Sequence, residues 1–197
     1  MSDKTVEFYY DYGSTNSYMA YTQLPKLVER TGATIVYKPA LIGGVFKATG
    51  NRAPFTVPAK FKWAQADTQR YAEMWGITMK LNPHFPMNTV YLMRGALYAQ
   101  QQGFLETYNE AIFTAMWVNE KNLTDPAVVT DVLTAAGLPA EPILAATQDA
   151  DIKQELFDRT AEAVERGLFG MPTFFVGDEM HFGKDRLHFV EMALLKE

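Results

Sequence analysis

The sequence predicts an α/β protein whose strands lie at its two ends, with an all-helical stretch inserted between them. Three observations carry this. Segments rich in aromatic and β-branched residues occur near both ends of the chain. The middle shows only helical periodicity. The first elements run strand, helix, strand, which favours a parallel pair joined by a crossover helix.

Taken in order, "TVEFYYDY" (5–12) is bounded by Gly13 and reads as a buried strand. From Ser17 to Arg30, Tyr18, Tyr21, Leu24, Leu27 and Val28 follow helical spacing, with Pro25 expected to kink the helix and Gly32 to end it. "ATIVYKPA" (33–40) is a second strand, and "LIGGVFKATGNRAPFTVP" (41–58) reads as a long Gly- and Pro-rich loop. Helices are expected at about 60–75, 88–102, 104–117 and 125–136. Asn88 is a candidate N-cap for the second, Gly103 ends it, Asp125-Pro126 opens the fourth and Gly137 closes it. Asp151 to Arg166 makes another helix, ended by Gly167. "PTFFV", "GDE" and "MHF" (172–182) form a hairpin, and "KDRLHFVEMALL" (184–195) closes the chain with Leu187, Val190 and Leu194 on one face. Because strands sit at both ends, one domain with an insertion explains the order better than two consecutive domains: 1–55 with 150–197, interrupted by helical 56–149.

Composition excludes several functions. A net charge of -5, with no lysine or arginine cluster, argues against nucleic-acid binding. No apolar run approaches the ~20 residues of a membrane span. The N-terminal "MSDKTVEFYY" carries no apolar leader, so the expected setting is cytoplasmic. The chain has no cysteine, which removes disulfides, thiolate metal ligands and protein-borne thiol chemistry. His84, His181 and His188 lack ligand spacing, so no metal site is expected.

The strand-to-helix corner "DYGSTNSY" (11–18) places Ser14 and Ser17 where two cysteines stand in thioredoxin-like proteins. With "GGVFKATGN" (43–51) and "GLFGMPTFFVGDEMHFGKDRL" (167–187), it resembles the branch of the DsbA-like thioredoxin superfamily that holds 2-hydroxychromene-2-carboxylate isomerase and the kappa-class glutathione transferases. The likeness spans nearly the whole chain in matching order. It implies a thioredoxin-like fold with a helical insertion, and glutathione as cofactor.

On position alone, Ser14 is a favoured helix N-cap. The resemblance adds a catalytic role, as a hydroxyl donor to the glutathione thiolate. A serine without an adjacent base is a poor nucleophile, so the sulfur comes from outside the chain. Pro172 by itself starts a strand; by resemblance the Met171-Pro172 bond is cis, and the Met171 backbone pairs with the cysteinyl part of glutathione. Asp185 is a possible helix cap, and surface lysines are ordinarily solvated. The resemblance assigns Lys184, by its side chain or backbone N–H, and Asp185 to the γ-glutamyl end of glutathione, and Asn51 and Lys60 to its glycyl and peptide portions. The family often carries a small polar residue where Lys184 stands. Lys47 would face the second substrate, there to bind a carboxylate or steady an enolate. Trp63, Tyr91 and Trp117 are candidates for an aromatic pocket in the insertion.

The implied activity is a glutathione-dependent isomerisation of an aromatic α-keto acid of the chromene type by a homodimer. A kappa-like transferase or peroxidase is the neighbouring possibility. A cysteine-free thioredoxin-like binding protein without catalysis is the third.

Overall fold

A computed structural model describes residues 4–196; residues 1–3, part of the stretch read above for a leader, and residue 197 lie outside it. Strand β1 (Thr5–Tyr10) is followed by α1 (Thr15–Tyr21), α2 (Leu24–Thr31) and β2 (Thr34–Pro39), and the two strands pair in parallel. β3 (Thr173–Val176) and β4 (Glu179–Phe182) form the hairpin, with β3 antiparallel to β1. The sheet order is β2-β1-β3-β4, so β1 is central and delivers its C-terminal end to the middle of the molecule.

The period-2 alternation of β1 sorts two cores. Val6, Phe8 and Tyr10 face the larger one, built with α1, α2 and the central helices, in which Phe8 stacks on Phe174 at 5.2 Å. Tyr9 faces a smaller one, with Val45, Ala163, Leu168, Met171 and Phe175.

Between β2 and β3 run α3 (Ile42–Thr49), α4 (Pro58–Trp75), α5 (Val90–Gln101), α6 (Leu105–Trp117), α7 (Pro126–Ala135), α8 (Ala140–Ala146) and α9 (Ala150–Glu165). The punctuation read from sequence operates here. Asp125 caps α7 through the Ala127 N–H, and Gly137 and Gly167 follow their helices with positive φ. Asn88, expected as the N-cap of α5, stands one residue before the cap position, which is Thr89, and accepts from the Val90 N–H.

Four expectations need correction. The helix read over 17–30 is two helices, because the chain turns at Thr22-Gln23 and Pro25 sits in the first turn of α2, where its missing N–H costs nothing. Residues 42–49, read as loop, are helix α3. Gly44 lets it approach α9 closely: a Cβ there would lie 3.0 Å from Thr160 Cγ2. Helix α8 was not foreseen. The closing helix opens with a 3-10 turn at 184–186, followed by α10 (Leu187–Leu195).

Candidate active site

The site is built where β1 ends. Asp11 is fully buried there and organises the corner. Its Oδ1 accepts from the Gly13 N–H at 2.9 Å and the Thr89 hydroxyl at 2.6 Å, and its Oδ2 accepts from the Ile42 N–H at 3.0 Å. One carboxylate thereby holds the α1 turn, the start of α3 and the approach to α5. Burial pushes its pKa above the ordinary carboxylate value, while the three donated bonds oppose that shift.

Ser14 is the N-cap of α1. Its backbone is extended (φ -98°, ψ 112°), and its Oγ accepts from the Ser17 N–H at 3.1 Å, as a cap does. The same hydroxyl donates to the Met171 carbonyl at 3.2 Å, across 157 residues of sequence. Ser17 is fully buried and its hydroxyl meets no partner among the described residues, so only Ser14 of the pair is tied to the opposite wall.

That wall is the segment before β3, where the Met171-Pro172 bond is cis. Met171 is buried, and its N–H meets no acceptor within the described residues. The Pro172 carbonyl accepts from the Gly183 N–H at 2.9 Å, which pins the end of β4 to the same spot. Gly183 has φ 103°, a conformation that side chains rarely adopt, and so turns the chain sharply into 184–186. Helix α1 packs on that turn and on α4, which gathers Ser14, Met171 and the 184–186 turn around one corner.

The remaining expected residues divide. Asp185 lies in the 3-10 turn; its carboxylate caps nothing and pairs with Arg186. Asn51 is exposed and donates to the Phe169 carbonyl at 2.8 Å, linking the end of α3 to the 167–172 segment. Lys47, in the last turn of α3, and Lys60, in the first turn of α4, are exposed and form no ion pair among the described residues. Lys184 differs from both. It is buried, and its Nζ lies 2.9 Å from Asp67 of α4.

Of the aromatic candidates, Trp117 belongs to the core, donating to the Tyr12 carbonyl at 2.9 Å, whereas Trp63 is 63% exposed. Sequence reasoning missed a row of rings, Phe55 against Phe85 at 5.3 Å and Phe61 near Phe85 at 6.4 Å, that joins the start of α4 to the approach to α5. It also missed Asp11 and Asp67. The only sequence signal for Asp11 was an acidic residue at the end of an otherwise apolar strand.

The donor set fits glutathione. A Met171 N–H without an acceptor among the described residues can pair with a peptide carbonyl, a hydroxyl stands beside it for a thiolate, and Asp185, paired with Arg186, together with two lysines that form no ion pair among the described residues offers both signs of charge for a zwitterionic tripeptide.

Comparison with known proteins agrees with this fold. The model of the DSBA-like thioredoxin domain matches residues 5–195. The 2-hydroxychromene-2-carboxylate isomerase of Pseudomonas putida is 33% identical, over 96% of this chain and 93% of that one. The glutathione S-transferase kappa 1 of Caenorhabditis elegans is 28% identical, over 94% of this chain and 88% of that one. A solved 2-hydroxychromene-2-carboxylate isomerase superposes with a TM-score of 0.88 at 28% identity, covering 96% of this chain and 94% of that chain. The chain belongs to the DSBA-like thioredoxin domain family.

Proposed function

We propose that this member of the DSBA-like family is a glutathione-dependent isomerase of aromatic α-keto acids of the 2-hydroxychromene-2-carboxylate type. The observation that carries the reading is the Ser14 hydroxyl facing the Met171 backbone in a chain without cysteine. The corner keeps a hydrogen-bond donor where a sulfur is expected and has no sulfur of its own.

When bound, glutathione would supply the thiolate nucleophile for reversible addition to the substrate. The protein's part is positional and electrostatic. Ser14 exchanges its bond to the Met171 carbonyl for one to the thiolate, favouring the ionised sulfur near neutral pH. The Met171 N–H orients the cysteinyl backbone, and Pro172 keeps that segment against the corner. Asp185 takes the γ-glutamyl ammonium, while Asn51 and Lys60 hold the far end of the tripeptide. Lys184 contributes its backbone N–H to the γ-glutamyl end, since its ammonium is engaged with Asp67. Lys47 meets the carboxylate of the aromatic substrate or steadies the oxyanion that develops on it, and the Phe55, Phe61 and Phe85 rings offer the apolar wall. A homodimer and a cytoplasmic setting belong to the same reading.

The test is stoichiometric. A trace of glutathione should support many turnovers of 2-hydroxychromene-2-carboxylate with no loss of free thiol. Likeness to the C. elegans kappa protein favours a second reading, transfer or peroxidase chemistry, in which thiol is consumed: one per product in transfer, and two, joined as a disulfide, per peroxide reduced. Thiol consumption would select that reading, and absence of glutathione binding by calorimetry would select a non-catalytic binding protein.

A further inference from the structure

Lys184 stands in the segment expected to meet the ligand, yet its charge is spent elsewhere. Its side chain is 7% exposed, and Nζ sits 2.9 Å from Asp67 Oδ2 and 4.2 Å from the centre of the Tyr71 ring. Asp67 and Tyr71 are four residues apart on α4 and so lie one above the other on a single face. A carboxylate and an aromatic face thus receive one ammonium, satisfying it by ion pairing and cation–π attraction in a site largely removed from water.

The location matters because α4 is otherwise thinly held. Of its eighteen residues only Thr68 and Ala72 are buried, and both lie in its C-terminal half. The Lys184 contacts are made just after the N-terminal half, residues 58–66, in which no side chain is buried. Lys60 is seven residues from Asp67, about 10 Å along the axis at 1.5 Å per residue. A small tilt about the Asp67 contact is therefore amplified at Lys60.

We infer that Lys184 is a positioning residue: with Asp67 and Tyr71 it clasps α4 to the turn bearing Asp185, and so fixes the span between Asp185 and Lys60. That span selects the length of a ligand with an amino-acid head and a carboxylate tail. The inference rests on the glutathione reading above for its ligand, though not for the clasp itself.

The experiment compares the wild type with Lys184→Met, Asp67→Asn and the exchanged pair Lys184→Asp with Asp67→Lys. It measures glutathione affinity by calorimetry and amide exchange by mass spectrometry. Each single variant is expected to weaken glutathione about tenfold, the scale of a modest misplacement of a binding group. Exchange should quicken in residues 58–66 and stay unchanged in β1 and β3. The exchanged pair should recover a substantial part of the lost affinity, the signature of direct coupling. Asp67→Asn should leave kcat at saturating glutathione within about twofold, since misplacement of α4 costs binding and not the Ser14 bond. Weakened binding in Lys184→Met alone, with Asp67→Asn unaffected, would mean that Lys184 touches the ligand and would overturn the inference. Unchanged exchange in both single variants would overturn the clasp whatever the wild type binds. A wild type that binds no glutathione, with faster exchange in the variants, would overturn the ligand half and the glutathione reading together while leaving the clasp standing.

Discussion

The floor of the candidate site and its rim are built on opposite plans. On the floor, Asp11 answers three donors, Ser14 bridges two elements, and the Gly183 N–H binds the Pro172 carbonyl, all in buried surroundings. In the reading proposed above the rim is Lys47, Lys60 and Asn51; the two lysines are exposed with no ion-pair partner among the described residues, and Asn51 is tied to the Phe169 carbonyl by its side chain. Buried polar groups are costly when unpaired, so the floor can hold one arrangement. Exposed groups pay no such penalty and can follow a ligand. On the proposed function, chemistry would belong to the first kind of surface and selectivity to the second.

The comparison breaks most visibly at Ser14. Ser14→Ala is expected to lose ~10²-fold or more in turnover, the scale of losing one donor to developing charge, and about 1 kcal/mol of stability for the lost cap. Ser14→Asp separates the two effects, since aspartate caps as well as serine but cannot donate to a thiolate. It should keep the cap bond to the Ser17 N–H but lose stability where its carboxylate meets the Met171 carbonyl, while turnover stays as low as in the alanine variant. Turnover near the wild-type level in either variant would remove Ser14 from the chemistry.

The rim should respond more gently and in KM. Lys47→Gln is expected to lower kcat/KM for an acidic aromatic substrate by roughly fivefold, the worth of an exposed charge pair. Glutathione affinity should be unchanged, and an equal loss for glutathione would show that Lys47 does not face the second substrate. Asn51→Ala should raise the glutathione KM about threefold, one ordinary hydrogen bond, with stability altered by less than about 0.5 kcal/mol. A collapse of stability there would mean that the rim is as rigid as the floor.

The floor's own charge gives the smallest signal, read in stability against pH. Burial raises the Asp11 pKa in the folded chain, so the folded state binds its proton more tightly than the unfolded state does. Its contribution is therefore greatest below the ordinary aspartate value and is lost as pH rises through the folded value. Asp11→Asn lacks this dependence, and groups common to both proteins cancel. The stability deficit of the variant, measured by urea melts, should shrink as pH rises from about 3.5 toward neutrality. A deficit that grows over that range would reverse the assignment.

The backbone of the floor was legible in the sequence because its signals are local, whereas the role of Asp11 was not. Aromatic alternation marks β1, Gly13 and Ser14 mark the turn, and helix caps and glycines mark the ends of α5, α7 and α9. The rest depends on partners far away in the chain. Gly43 and Gly44 argue for a loop on propensity, and α3 forms because Asp11, 31 residues away, anchors the Ile42 N–H and α9 leaves room only for glycine at 44. Likewise nothing near Lys184 reveals Asp67, 117 residues away, nor anything near Asn51 the Phe169 carbonyl, 118 away. Residue type and spacing announce a charged group, whereas its partner is set by packing.

Trp117 gives the molecule a native optical probe. Its indole is wholly enclosed, lies 5.7 Å from the Phe85 ring, and is hydrogen-bonded to the Tyr12 carbonyl two residues before Ser14. Of the two other tryptophans, Trp63 is open to solvent. Soluble quenchers should therefore silence Trp63 first and leave an emission at the short-wavelength end that reports on the corner. Changes at the Ser14 corner can then be followed in the unlabelled protein on the timescale of mixing.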